Sequence, residues 1–552
     1  MNSLKYVSLF LAWFLLNQAS VNASPDSLTE DRLVNKTAYI PAQCYTDPVA
    51  NGKVHNPCYV CHTNSKEPNY LDDVDVQLVY NLPEPGLKHS WMNLYKDRTK
   101  LISSMKDADV IRYVREDNYK DKSGKIILSE KLKQVPSEWD RNKNKKWDGY
   151  IPDVYFNFDS YGFDHDGKGQ PTGWRVFAYY PFPGTFMPTN GSSDDVLIRL
   201  PEAFRQIKAG IYDQETYRIN LAIVESMIKE QDIPISMVDE RRYGVDLNKD
   251  GKLNTADFIR YDWAPLEKKF MSYVGQAKEL LDRQQVHIAA RLYPEGTEFL
   301  HTVRYLDFDD AGRVRMSARM KEVRYSRKGD WRNYYSLQRI VEKEVKERHD
   351  FPERTKQVIG NMEEGLVVAQ GWIYQGFIED KNGNLRPQSY EENYFCVGCH
   401  SGVGATTDTT FAFSRKLSAS ESYKEGWYHW MEKSFNGLSD PVREDGHGEY
   451  AFYLKNNPTG NEYRTNTEVM NKFFTREGVA IPSAFEQLRQ DISHLLIPSA
   501  DRALRLNKAY KVIVEEQSYV LGRDPVFEPV TSVKKEVEIN AGTGIRDVLS
   551  YY

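Results

Sequence analysis

Two short stretches hold the residues best placed to do chemistry. "NPCYVCHTN" sets Cys58, Cys61 and His62 at the spacing C-x-x-C-H, and far downstream "NYFCVGCHSG" repeats it with Cys396, Cys399 and His400. Four of the five cysteines belong to these two copies. Paired thiols at this spacing can close a redox-active bridge, supply zinc with thiolates, or add across the two vinyl groups of a haem while the next histidine ligates its iron. A redox pair has no need of the histidine, and a four-thiolate zinc site leaves His62 and His400 unused. The repeat therefore favours covalent haem at both positions.

On these motifs the chain resembles the c-type cytochromes that carry two haems. The resemblance implies haem c at both sites, with Cys58 and Cys61 as thioether partners of one and Cys396 and Cys399 of the other. It also implies His62 and His400 as proximal iron ligands, and either electron transfer or haem chemistry with peroxide or oxygen.

The second axial ligand decides between those uses, because a closed iron transfers electrons whereas an open one can catalyse. "KHSWMN" places His89 and Met92 after the first motif, and "WYHWME" places His429 and Met431 at nearly the same offset after the second. These four are the distal candidates. His55, His301, His447 and His494 are weaker ones. Cys44, the odd cysteine, reads by default as a buried thiol.

A different chemistry lies in "VDLNKDGKLNTADF". Asp246, Asn248 and Asp250 at alternate positions, the turn-permitting Gly251, the Lys252 carbonyl, Asn254 and Asp257 form the pattern of a calcium loop. The twelfth position holds Asp257 where a bidentate Glu is usual. "DRNKNKKWDGYIPD" is a weaker relative, with Asp140, Asn142, Asn144, Asp148 and Asp153. The expected cofactors are thus two covalent haem c groups and Ca2+.

The opening 23 residues, with an apolar run from Val7 to Leu16 and small residues up to Ala23, read as a secretory signal peptide. No later apolar run is long enough to span a membrane. The expected location is periplasmic, cell-surface or secreted. A net charge of −6 without a Lys/Arg block argues against nucleic acid, leaving redox proteins, periplasmic or outer-surface, as the expected partners.

The elements that must position these residues divide into an N-terminal haem c region (24–135), a stretch of Asx-rich loops with the calcium loop (136–262), a helix plus β-hairpin middle region (263–385) and a C-terminal haem c region (386–552). Helices are predicted over 201–231 and 264–291 and after Pro482 and Pro498. A hairpin is predicted where Asp-Asp-Ala-Gly interrupts alternating residues around Val314, Met316, Ala318 and Met320. The expected fold is mainly α with irregular loops and some β (α+β), two haem c regions flanking a large middle region. The expected function is that of an exported dihaem c-type cytochrome carrying electrons. The alternative is a dihaem oxidoreductase, peroxidase- or oxygenase-like, that uses one open iron.

Overall fold

A computed structural model describes residues 28–549 apart from 48, 51–52, 55, 186, 421 and 458–463. The segment 1–23 expected to be a leader, and His55, lie outside the described residues.

One antiparallel sheet of nine strands organises the chain. In chain order its strands are β1 (Phe163–His165), β2 (Pro171–Phe177), β3 (Ser193–Arg199), β4 (Glu298–Phe308), β5 (Val314–Lys328), β6 (Ile359–Asn361), β7 (Gly365–Val367), β8 (Trp372–Glu379) and β9 (Leu385–Pro387). They lie in the order β6-β7-β8-β5-β4-β3-β2-β1, with β9 paired to β8. The long pair β4 and β5 is the hairpin marked by Asp-Asp-Ala-Gly, where the Gly312 amide bonds back to the Asp309 carbonyl at 2.9 Å. Gly312 takes a φ of 73°, which side chains disfavour.

The sheet corrects the expectation of a mainly α chain with haem regions flanking a middle. The reason lies in its composition. Lys321, Glu322 and Lys328 of β5 are all buried, because both faces of the central strands are covered; Glu322 and Lys328 are in ion pairs, and Lys321 donates to Gly191 O and Ser192 Oγ. Such strands lack the apolar-in, polar-out alternation of a half-solvated sheet.

Of the helices, α1 (Cys58–Cys61) is a single turn whose first amide, that of Cys58, is held by the Asn56 side chain at 2.8 Å. Helix α2 (Gln214–Lys229) starts on an Asp213 cap and ends at the left-handed Glu230. Residues Ile207 and Ile211, expected within it, lie instead in short strands. The helix expected over 264–291 is reduced to Gln276–Asp282, which begins after Gly275 at a φ of 64°. Helix α3 (Tyr334–Asp350) is largely exposed. Helix α4 (Tyr390–His400) opens with a reciprocal capping box between Ser389 and Glu392 and carries the second motif in its last turn. After Pro482 comes Pro482–Gln490, and after Pro498 comes α5 (Ala500–Glu516), capped by Ser499.

The two ends of the chain meet. The tail at 526–549 runs beside the first motif region, with the His89 amide bonded to Lys535 O at 2.8 Å and the Val537 amide to Leu87 O at 2.9 Å. The Glu391 carboxylate of α4 accepts the amides of Val34 and Asn35 at 2.8 and 2.7 Å. Beyond the second motif, the Ala405 amide reaches Cys61 O at 3.1 Å.

Candidate functional site

Both motifs face one chamber of about 1220 Å³, whose walls include Cys58, Cys61, His62, Cys396, Cys399 and His400. Its size exceeds the roughly 300–1,000 Å³ of a single small-ligand pocket. Val60, Leu82, Phe182, Phe395 and Phe411 give it apolar cover.

The sheet supplies the opposite wall. Asp194 and Val196 of β3, Phe299, His301 and Val303 of β4, and Glu322, Arg324 and Ser326 of β5 all line the chamber. They are alternate residues of adjacent strands, which is the period that sends side chains to one face. In register His301 lies between Val196 and Arg324, and Val303 between Asp194 and Glu322. The polar side chains on this wall are tied down: Arg324 and Arg523 both donate to Glu322, at 2.9 and 2.8 Å. Burial pushes the Asp194 carboxyl up to about 8.

Each motif histidine is oriented by its Nδ1. That of His62 lies 2.5 Å from Asp73 Oδ2, and that of His400 lies 2.8 Å from the Thr409 carbonyl. A carbonyl only accepts, so Nδ1 of His400 carries the proton and its Nε2 keeps the lone pair that a metal needs. Burial also pushes His400 down to about 4, which keeps the ring neutral.

Cys396 is buried, Cys44, Cys58, Cys61 and Cys399 are half-buried, and none of the five is in a disulfide. Burial pushes Cys58 up to about 12 and Cys399 to about 11, while Cys61, Cys396 and Cys44 are also raised. A redox thiolate requires the opposite shift. Among the described residues no three His, Cys, Asp or Glu side chains converge as a metal cluster would require. Cys44 lines the same chamber.

The structure separates the distal candidates from this chamber. His89 is buried beside the rings of Tyr45 and Tyr95, behind the wall, and burial pushes it down to about 4. His429 lies across the sheet: its Nε2 is 3.0 Å from Oδ2 of Asp195, which also accepts from Thr302. Asp195 and Thr302 alternate with the chamber-facing Asp194 and His301 and therefore point the other way. Met92 and Met431 are 47% and 73% exposed. The recurring offset thus reflects local His/Trp/Met composition and not a shared position at the motifs. His301, a weaker candidate in sequence, does line the chamber. The signal for it was a lone histidine alternating with Phe299 and Val303 in a strand.

In the calcium-type loop, Asp246 accepts the amides of Asp250 and Gly251 at 3.2 and 2.9 Å, and Asn248 accepts that of Asp250. Asn254 donates to Asp250, Lys252 continues the turn, and Asp257 is exposed on the following strand. The buried Glu240, missed in sequence, pins the loop by accepting from Leu247 and Asn254. The loop at Asp140 has the same form, with Asp140 accepting the amides of Asn144 and Lys145.

A lipoprotein family profile matches residues 28–493, a span that includes both motifs. An uncharacterized lipoprotein of Aquifex aeolicus (strain VF5) is 30% identical over 589 residues, covering 95% of this chain and 93% of that protein. No solved structure matches. These matches overturn the resemblance to the c-type cytochromes. Ten motif residues are a small part of the chain, whereas kinship is decided by the several hundred residues that build the sheet and its cover. Among the described residues no helix is long and apolar enough to cross a membrane.

Proposed function

This chain belongs to that lipoprotein family, whose members are exported and membrane-anchored, and from that premise we propose that it carries electrons through two covalently attached haems at the outer or periplasmic face of a membrane. The observation that carries the reading is that both C-x-x-C-H motifs, far apart in the chain, face one largely apolar chamber.

The residues present fit the group. Cys58 and Cys61 would hold one haem and Cys396 and Cys399 the other, with His62 and His400 presenting Nε2 and with Asp73 and the Thr409 carbonyl orienting their rings. Bound there, haem supplies one-electron chemistry at iron. The apolar side chains would pack against the haem, and the paired Glu322, Arg324 and Arg523 on the sheet face would set the local field.

The test is the intact mass of protein exported from a host with haem-attachment machinery. Two haem additions are expected, falling to one in Cys58→Ala/Cys61→Ala and to one in Cys396→Ala/Cys399→Ala. An unmodified chain overturns the reading. A second reading, an oxidoreductase acting at one open iron, is favoured by the polar residues Asp194, His301 and Arg324 on the chamber wall. Peroxide-dependent change in the spectrum of the haem-loaded protein is its signature.

Calcium in the Asp246 loop is the remaining part of the proposal, supported by the inward turn of Asp246, Asn248 and Asp250. Chelation should lower the melting temperature of wild type and leave an Asp246→Ala/Asp250→Ala variant unmoved. Equal melting with and without chelator counts against it.

A further inference from the structure

Among the described residues three histidines line the chamber: His62, His400 and His301. Two of them belong to the motifs. The third projects from the middle of β4, in register with Arg324 of β5. Arg324 lies close enough for its charge to act on Cys396, Cys399 and His400. The second motif therefore stands over the row of the sheet that carries His301, and His400 is in turn among the groups that act on His301. Asp194 Oδ2 lies 3.9 Å from His301 Nδ1.

Resting on the haem reading above, we propose that His301 is the axial iron ligand opposite His400, on the haem carried by Cys396 and Cys399. The central strand makes it a rigid ligand, because β4 is hydrogen-bonded to β3 on one side and β5 on the other throughout this stretch. A rigid strong-field ligand closes that iron and suits it to electron transfer. His89 and His429 have no such role, since one is behind the wall and the other on the far face of the sheet.

The experiment is EPR and optical spectroscopy of the haem-loaded protein, with haem content fixed by intact mass. In wild type the second haem should be low-spin. His301→Ala should turn it high-spin, and the whole low-spin signal should vanish when the change is made in Cys58→Ala/Cys61→Ala, where only the second haem remains. Added imidazole should restore it. His301→Met, which keeps an iron ligand and the side-chain bulk, should stay low-spin and raise the potential of that haem. His89→Ala and His429→Ala should leave the second haem unchanged. A low-spin signal that survives His301→Ala at full haem content overturns the assignment while leaving the haem reading intact. A chain without covalent haem overturns both.

Discussion

Lys321 shows how a single residue couples this interior to pH. Its Nζ is buried above the rings of Tyr305 and Tyr510 and donates to Gly191 O at 2.7 Å and Ser192 Oγ at 2.9 Å. Burial pushes the amine down to about 7 from its ordinary 10.5. Between those values the unfolded chain holds a proton that the folded one has released, so stability rises with pH by about 1.4 kcal/mol per unit. Below the lower value both states are protonated and the contribution is flat. Urea unfolding at pH 7 and 9 should therefore show wild type gaining roughly 2 kcal/mol relative to Lys321→Met. Parallel behaviour of the two proteins would remove Lys321 as the cause. At this scale the motif cysteines and histidines were legible because their chemistry demands fixed spacing. Lys321 was not, because a lone lysine in a strand has no signature until its neighbours are known, and His301 stood only among the weaker candidates.

The central elements depend on backbone groups that the sheet itself leaves unpaired. Strand β4 shifts register against β5 between Val303 and Leu306. At that irregularity the fully buried Asn507 of α5 donates to Leu306 O at 2.7 Å and accepts from Leu306 N at 3.4 Å. Asn507→Ala should lower unfolding stability by about 1–3 kcal/mol, the cost of buried groups left without partners. Little change in a denaturant titration would mean that the bulge finds other partners. The β4–β5 hairpin was readable because a turn signal sat between alternating residues. The other seven strands were not, since β1, β6, β7 and β9 have three residues each, too few to show a period. The helix expected after Pro498 is α5, which starts at Ala500 on its Ser499 cap, whereas the helix expected over 264–291 is cut short where Gly275 takes a positive φ.

Across the whole molecule, the chamber exists because distant segments are clamped together. Gly398, between the second pair of thiols, lies so close to the N-terminal segment that an added Cβ would fall 1.8 Å from Tyr39 O. Gly398→Ala should force the two apart and lower the melting temperature, by the equivalent of about 1–3 kcal/mol or more. Gly167→Ala, where an added Cβ meets nothing within 4 Å, serves as the control. An unchanged melting temperature for Gly398→Ala would show that residues 38–40 move freely. The sequence by itself determined export, the two C-x-x-C-H motifs and the calcium-type loop, because each is written in a contiguous run whose spacing local geometry dictates. Only the tertiary structure decided that both motifs open onto one chamber, that the sheet forms its far wall, and that His301 and not His429 faces it. Those facts depend on strand register and on contacts between the two ends of the chain, and a contiguous stretch of sequence encodes neither.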